Sequence, residues 1–200
     1  LSGGSAFGLE AASEIQLCLA RDKKGFEVGG KVRVPIVPQA ILFDLLNDGK
    51  KPWVSGESEP PYRTLAREAY EALSGDVAQG SYGAGAGATT ATCKGGLGSA
   101  STLIAARFTV GAIVAVNACG SVKVGDTQHF HAAPFEMNYE FGGYGCATSN
   151  ACFQNRPALK GSDTNAEVGQ NTTIGIIATD LKLDRAALER VATMAHDGLA

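Results

Sequence analysis

Residues 171–180, NTTIGIIATD, place hydroxyl side chains at the start of an apolar run typical of a β-strand. A threonine hydroxyl within a chain is a weak nucleophile unless a base accepts its proton. If the peptide bond between Asn171 and Thr172 breaks, Thr172 gains a free α-amine, and one residue then carries both the nucleophile and the base. One interpretation of this segment is therefore a self-cleaving hydrolase.

The same residues allow two other interpretations. Asn171, Thr172 and Thr173 form the Asn-x-Thr acceptor pattern of N-glycosylation, a triplet that is frequent by chance. Nothing else in the sequence indicates secretion, and a glycan at the start of an apolar strand is hard to keep exposed. An ordinary strand start is the other interpretation, and the residues alone favour it over self-cleavage.

A glycine-rich segment, residues 80–98, contains seven glycines and almost no large side chains. Such a segment is expected to be a loop whose backbone approaches a neighbour closely. Residues 83–88 satisfy the loose GxGxxA dinucleotide pattern, but no acidic residue follows about twenty positions later to hold a ribose. Lys94 is followed by Gly95, where a phosphate loop needs Ser or Thr. Nucleotide binding is therefore disfavoured.

Histidine and cysteine side chains do not form a recognisable metal motif. The spacings His129-x-His131 and Cys146-x5-Cys152 match no common structural zinc site, so we predict ordinary loop residues there. The number of cysteines is odd and their surroundings are mostly apolar or glycine-rich, which favours reduced thiols inside a cell, with a Cys146–Cys152 disulfide left open. The five cysteines are Cys18, Cys93, Cys119, Cys146 and Cys152.

Composition restricts the classes of protein that fit. The 200 residues are 44% hydrophobic and 18% charged, enough for one well-buried domain, 1–200. A net charge of -3 without a basic block argues against nucleic-acid or membrane partners. With neither a long apolar run nor a signal peptide, the chain is expected to be soluble and cytoplasmic. It lacks an initiator methionine and stops just after a helix, so we expect a fragment of a longer protein.

Helical and strand patterns alternate along the chain, which predicts an α/β or α+β class. The run 109–116 ends at Asn117, and both this run and 172–178 are expected to be strands buried on both faces. Asp184 is expected to cap the final helix. Residues 121–170 have no sustained period and are expected to form a long processing or lid segment. The other predicted elements are helices at 10–20, 40–46 and 62–73 and a strand at 31–37.

Six motifs, in this order, resemble those of the DmpA-type aminopeptidases, the D-aminopeptidase and β-peptidyl aminopeptidase relatives also classed as P1- or T4-type peptidases. The resemblance spans nearly the whole chain and is weakest over 121–170. The motifs are residues 1–9 (LSGGSAFGL), 34–38 (VPIVP), 83–88 (GAGAGA), 94–98 (KGGLG), 114–117 (VAVN) and 171–180 (NTTIGIIATD).

This resemblance implies a proenzyme that cuts itself once and folds as an α-β-β-α sandwich shared with ornithine acetyltransferases. Thr172 matches the family's nucleophile, with Thr173 a weaker match, so Asn171 would end a first chain, 1–171, and a second chain would begin with 172–200. Family members need neither a metal nor an organic cofactor. They assemble from several processed heterodimers, so a homo-oligomer is expected.

The resemblance also implies roles for other residues. Asn117 matches the side-chain amide that stabilises the oxyanion, although an Asn that caps a turn before Gly120 is the alternative. The substrate pocket would include Gly3, Gly4, Ser5 and Lys94. The expected activity is removal of an N-terminal residue from short peptides or amino-acid amides. The alternatives are acyl transfer of the ornithine acetyltransferase type and a scaffold member that is never processed. The family's tyrosine cannot be matched to Tyr62 or Tyr82.

Overall fold

The computed structural model describes residues 1–148, 158–160 and 170–199. Three α-helices are found in these ranges: α1 (Glu10–Arg21), α2 (Tyr62–Glu71) and α3 (Arg185–Met194). The described strands are β1 (Phe26–Val28), β2 (Val32–Val34), β3 (Gly96–Ile104), β4 (Phe108–Asn117) and β5 (Thr172–Thr179).

The main sheet is antiparallel, with the strand order β3-β4-β5. β3 and β4 form a hairpin whose turn contains Ala105 and Ala106, both with positive φ. β4 and β5 are aligned over eight pairs, from Val110 opposite Thr179 to Asn117 opposite Thr172. The long segment that joins β4 to β5 therefore returns the chain to the same end of the sheet.

Side chains alternate between the two faces of this sheet. On one face, Ala115 is fully buried in a core that also holds Leu42, Ala84 and Ala88 from two loops. Leu1, Leu97 and Ile174 pack against this core. On the other face, Val114 and Ile177 share a cavity of about 230 Å³ with α3 and the 3-10 turn Ala195–Leu199 that follows it.

A buried charge joins the two N-terminal helices. The Glu14 side chain on α1 is 4% exposed, and its Oε1 accepts hydrogen bonds from Arg67 on α2 at 2.8 Å. Arg21 lies 3.8 Å from the same oxygen. Because a buried carboxylate without a partner is costly, this pairing fixes how α1 and α2 pack.

The helices predicted at 10–20 and 62–73 are confirmed within two residues at each end. The final helix is confirmed as α3, but the α-helix ends at Met194, and the predicted last turn, Ala195–Leu199, is 3-10. Asp184 caps α3 as expected, since its Oδ1 accepts from the Ala187 N–H at 2.8 Å. None of the helices in the described residues combines the length and hydrophobicity that a bilayer crossing needs.

The helix predicted at 40–46 is wrong. Leu42 exchanges backbone hydrogen bonds with Ser2 and Ser5, and Ile41 forms a parallel bridge with Ser2. Residues 40–42 are therefore extended, because their backbone groups pair with the N-terminal segment, which local sequence cannot reveal, and residues 45–46 form a turn.

Three strand predictions need correction. β3 begins at Gly96, inside the predicted 80–98 loop, and its small polar residues gave no strand signal. The strand predicted at 31–37 is shorter, because Pro35 lacks the N–H that a ladder needs. β5 is not buried on both faces. Ile174 packs against the core, but Ile176 on the same face is 50% exposed.

Candidate active site

Asn117 and Thr172 face each other across the sheet. Asn117 ends β4, Thr172 begins β5, and the two residues are directly paired. Opposed residues of an antiparallel pair project to the same face, with Cβ atoms about 4.5–5.5 Å apart. This is the face of Ala115 and Ile174, because each lies two positions away along its strand. The register thus brings together the two residues that the sequence predicted as catalytic.

The Asn117 side chain is fully buried and uses all of its hydrogen-bonding capacity. Its Nδ2 donates to the carbonyl oxygens of Phe43, at 2.8 Å, and Gln170, at 3.1 Å. Its Oδ1 accepts from the Thr89 N–H, at 3.0 Å, and from Lys160 Nζ, at 3.1 Å. Carbonyls only accept, and an amide N–H or an ammonium only donates, so these partners determine which end of the amide is which.

Sequence reasoning did not identify Lys160. Its backbone N–H donates to the Cys119 carbonyl oxygen at 2.7 Å. Because Cys119 lies two residues after the end of β4, this hydrogen bond holds Lys160 next to that end of the strand. Burial lowers the pKa of the Lys160 ammonium, and the nearby Cys119 thiol acts in the opposite direction. No motif could have indicated Lys160, because it is an isolated lysine within the irregular 121–170 segment.

The predicted cleavage junction lies beside this amide. Gln170, whose carbonyl contacts Asn117, is separated from Thr172 by Asn171 alone. The Oδ1 atom of Asn171 is buried and accepts no hydrogen bond from the described residues. Thr172 itself is partly buried. The backbone that would be cut is therefore held against β4 by both the strand register and the Asn117 side chain.

Thr173, the weaker candidate for the nucleophile, points to the other face of the sheet. It lines the cavity beside α3, together with Val114 and His196. The sheet itself therefore separates the Thr173 side chain from Asn117.

Gly3 and Gly4 lie against the Asp44 carboxylate, and Ser5 follows them. The Gly4 N–H donates to Asp44 Oδ1 at 2.8 Å. A Cβ atom on Gly3 would collide with Asp44 Oδ2, and one on Gly4, where φ is +84°, would collide with the Tyr62 ring. Ser5 also has a positive φ, and its N–H donates to the Leu42 carbonyl at 2.9 Å.

A cavity of about 420 Å³ opens beside this cluster, and Gly3, Asp44, Trp53 and Tyr62 are among the residues that line it. The Trp53 and Tyr62 rings meet edge to face, with centroids 6.2 Å apart. Burial, and secondly the charge of Asp44, raise the pKa of Tyr62 to about 12. Asp44 was not identified from the sequence, because its partners come from distant loops.

Lys94 is not part of this group. It lines a different, shallower depression of about 230 Å³, together with Gly96 and Val116. Val116 projects to the opposite face of β4 from Asn117, since strand neighbours alternate. Of the four predicted substrate residues, Gly3 thus lines the 420 Å³ cavity, Gly4 and Ser5 follow it in the chain, and Lys94 lies apart.

Among the described residues, no three His, Cys, Asp or Glu side chains are grouped so as to hold a metal ion. His129 Nδ1 lies 3.0 Å from the Gly145 carbonyl oxygen. Cys152 lies outside the described residues, so its pairing with Cys146 stays an open alternative. The described cysteines form no disulfides with one another.

Comparisons with known proteins found a matching family model, related aminopeptidase sequences and a similar solved structure. The model of peptidase family S58 matches residues 1–200. An uncharacterized aminopeptidase of Mycobacterium bovis is 36% identical over 200 residues, which are 100% of this chain and 55% of that protein. One of Mycobacterium leprae is 36% identical over 217 aligned residues, covering 100% of this chain and 53% of its own. The PH0078 protein of Pyrococcus horikoshii OT3 is similar in structure, with a TM-score of 0.54 and 23% identity over 98% of this chain and 46% of that one.

The chain spans about half the length of the curated relatives it matches. The likeness to the archaeal structure shows a shared fold, with mixed helices and sheet. The match over residues 1–200 confirms the resemblance that the six motifs indicated. The chain belongs to peptidase family S58.

Proposed function

We propose that this protein is an aminopeptidase that cuts its own chain once and then uses Thr172 as an N-terminal nucleophile on short peptides or amino-acid amides. The observation that carries the proposal is the pairing of Thr172 with Asn117 on one face of the sheet. The family match and the aminopeptidase names of the relatives support the class of reaction.

Self-cleavage would begin with attack of the Thr172 hydroxyl oxygen on the carbonyl carbon of Asn171. A C–O bond forms, the C–N bond of the peptide breaks, and the hydroxyl proton passes to the departing nitrogen. Water then hydrolyses the ester, which leaves a carboxyl group on Asn171 and restores the Thr172 hydroxyl. The products are chain 1–171 and a second chain with a free amine on Thr172.

The new amine supplies the base for turnover. A free α-amino group has a pKa of about 8, so roughly a tenth of it is neutral at pH 7. The neutral amine accepts the hydroxyl proton while the oxygen attacks a substrate carbonyl. The acyl group is carried on Thr172 Oγ1 until water releases it.

Asn117 would stabilise the oxyanion of both reactions by exchanging its Nδ2 contact with the Gln170 carbonyl for one with the attacked oxygen. In the uncut chain its Nδ2 already donates to the Gln170 carbonyl, one residue before the carbonyl that is attacked. After cleavage, residues 170 and 171 form a free chain end, and their withdrawal would expose Nδ2 to a substrate oxygen. Loss of one such donor typically costs about 3 kcal/mol in the transition state.

We also propose the α-β-β-α sandwich, with a homo-oligomer of processed units. The layers in the described residues support that order: α3 flanks one face of the main sheet, and the extended, bridged segments at Ser2 and Ile41 cover the other. Leu65 of α2 and Ala11 of α1 line the cavity beyond those segments. The Ser2–Ile41 bridge is where a second sheet would begin.

The test of the function is the mass of the purified polypeptides. The parent protein should give two chains, the first ending with a free carboxyl on Asn171 and the second beginning at Thr172. Thr172→Ala should stay whole and inactive. Thr173→Ala is the matched control and should cleave, because its side chain points to the other face.

Cleavage of Thr172→Ala at the same bond would overturn the proposal, and so would peptide hydrolysis by an uncut parent chain. A first chain lighter by one water would indicate that Asn171 had cyclised instead, which would also contradict attack by Thr172.

A further inference from the structure

We propose that Lys160 is a positioning residue of this site: its ammonium group holds the Asn117 amide in the orientation that turns Nδ2 toward the backbone to be cut. The inference rests on the proposed function and adds a residue to which no motif points. Its basis is the hydrogen-bond geometry around Asn117.

The four partners of Asn117 divide its amide into a donor end and an acceptor end. Phe43 and Gln170 offer carbonyl oxygens at the donor end. Thr89 and Lys160 offer donors at the acceptor end. A rotated amide would bring its N–H groups against an ammonium and its oxygen against two carbonyls, so all four contacts would be lost.

Lys160 is the charged member of this set. Hydrogen bonds with an ionised partner are about twice as strong as those between neutral groups, and a buried site strengthens them further. The positive charge of the Lys160 ammonium, which lies beside Oδ1, also draws electron density from the amide nitrogen. Nδ2 therefore becomes a stronger donor at the moment when negative charge develops on the attacked carbonyl oxygen.

The Lys160 side chain has no competing ionic role in the part of the chain that the structure describes. No carboxylate forms an ion pair with it there, whereas Arg33, Arg67 and Arg185 each have one. Its backbone is fixed by the 2.7 Å hydrogen bond to the Cys119 carbonyl. The anchored backbone therefore aims its head group at Asn117.

The experiment measures the first-order rate of self-cleavage and then the kcat and KM of the processed enzyme. Lys160→Met removes the charge at nearly the same length and should slow both self-cleavage and kcat about tenfold to a hundredfold, the usual effect of losing a hydrogen bond to a charged group. KM should change by less than about twofold, because a positioning role acts in the transition state. Lys160→Arg keeps a donor and the charge and should restore part of the rate.

Lys123→Met is the matched control, since Lys123 lies in the same segment but over the Phe130 ring, 5.8 Å from its centroid. It should cleave at the parent rate. A double-mutant cycle adds a readout that a purely structural role would not give: in an Asn117→Ala background, Lys160→Met should have little further effect, because Lys160 acts through that amide.

If Lys160→Met does not fold, Lys160→Gln should still show a loss of rate, although a smaller one, because it replaces the charged donor by a weaker neutral donor. Parent-like cleavage and kcat in Lys160→Met or Lys160→Gln would overturn the inference, as would an undiminished Lys160→Met effect without Asn117. Either result would leave the proposed function intact, provided that cleavage still requires Thr172. Failure of the proposed function would be seen independently, as cleavage of Thr172→Ala.

Discussion

At the scale of single residues, the N-terminal glycines are set by the side chains packed against them. Gly3 and Gly4 have no room for a Cβ atom, because the Asp44 carboxylate and the Tyr62 ring occupy that space. The Tyr62 hydroxyl is therefore buried close to a negative charge, and both conditions disfavour its ionised form. This has a measurable consequence at high pH.

We predict that stability falls between about pH 10 and pH 12 because of Tyr62. Its pKa is about 12 in the folded protein, against an ordinary value of 10.0, so the folded state holds the proton more tightly. The contribution to the free energy of unfolding is complete below pH 10 and is lost as the pH rises toward 12. Urea unfolding across this range should show the loss in the parent protein, and Tyr62→Phe should show a smaller one.

Tyr139→Phe is the control for this pH prediction, because Tyr139 is 82% exposed. Its stability should follow the same curve as that of the parent. Equal pH dependence in the parent and Tyr62→Phe would contradict the assignment.

Motifs in the sequence indicate some candidate site residues, and they miss candidates whose contacts form only in the folded chain. Thr172, at the start of one apolar run, and Asn117, at the end of another, were predicted through the family resemblance, because the residues alone favoured an ordinary strand start for Thr172. Lys160 and Asp44 carry no such signal. Each meets its partners through contacts between distant segments, Lys160 with Asn117 and Asp44 with Gly4, and only the folded chain brings these together.

At the scale of helices and strands, α1 and α2 depend on a single buried carboxylate. Glu14 is 4% exposed while Arg67 is half-exposed, so the acid is the member that needs a partner. Removal of one member of a buried pair is usually far more harmful than replacement of both by apolar groups.

We therefore predict that Arg67→Met lowers the thermal midpoint by about 5 °C or more, because Glu14 then loses its closest partner. The double variant Glu14→Leu/Arg67→Met should lose less than Arg67→Met alone. Arg63→Met is the control: Arg63 and Glu10 lie 3.6 Å apart and are both exposed, so the midpoint should move by no more than about 2 °C. A double variant less stable than Arg67→Met would refute this account.

The elements that were predicted correctly have a strong local pattern. β4 and β5 are runs of β-branched and small apolar residues, and α3 carries its own capping residue, Asp184. The errors concern elements that depend on distant partners. Residues 40–42 are extended because they pair with Ser2 and Ser5. β3 forms because β4 supplies the partners for its backbone hydrogen bonds.

At the scale of the whole molecule, the proposed cut falls at the start of β5, so strands from both products would belong to one sheet. The eight residue pairs between β4 and β5 join the chain before the cut to the chain after it. α3 follows β5 and shares a cavity with Val114 of β4. The two products are thus expected to remain one particle.

We predict that chain 1–171 and the chain that begins at Thr172 elute together in native buffer and separate only in denaturant. Size-exclusion chromatography followed by mass measurement of the peak fractions tests this. The uncut Thr172→Ala protein, run on the same column, provides the reference for elution volume. Separate elution of the two chains without denaturant would contradict a shared β4–β5 ladder.

The position of β5 directly opposite β4 would also make the proposed cleavage hard to reverse. Before the cut, the long connection from Asn117 to Thr172 is a closed loop, tied at both ends to neighbouring strands. After the proposed cut one end would be free, and the connection would gain the conformational entropy that loop closure costs. Rejoining the ends would cost that entropy again, so the sheet would disfavour re-formation of the cut peptide bond.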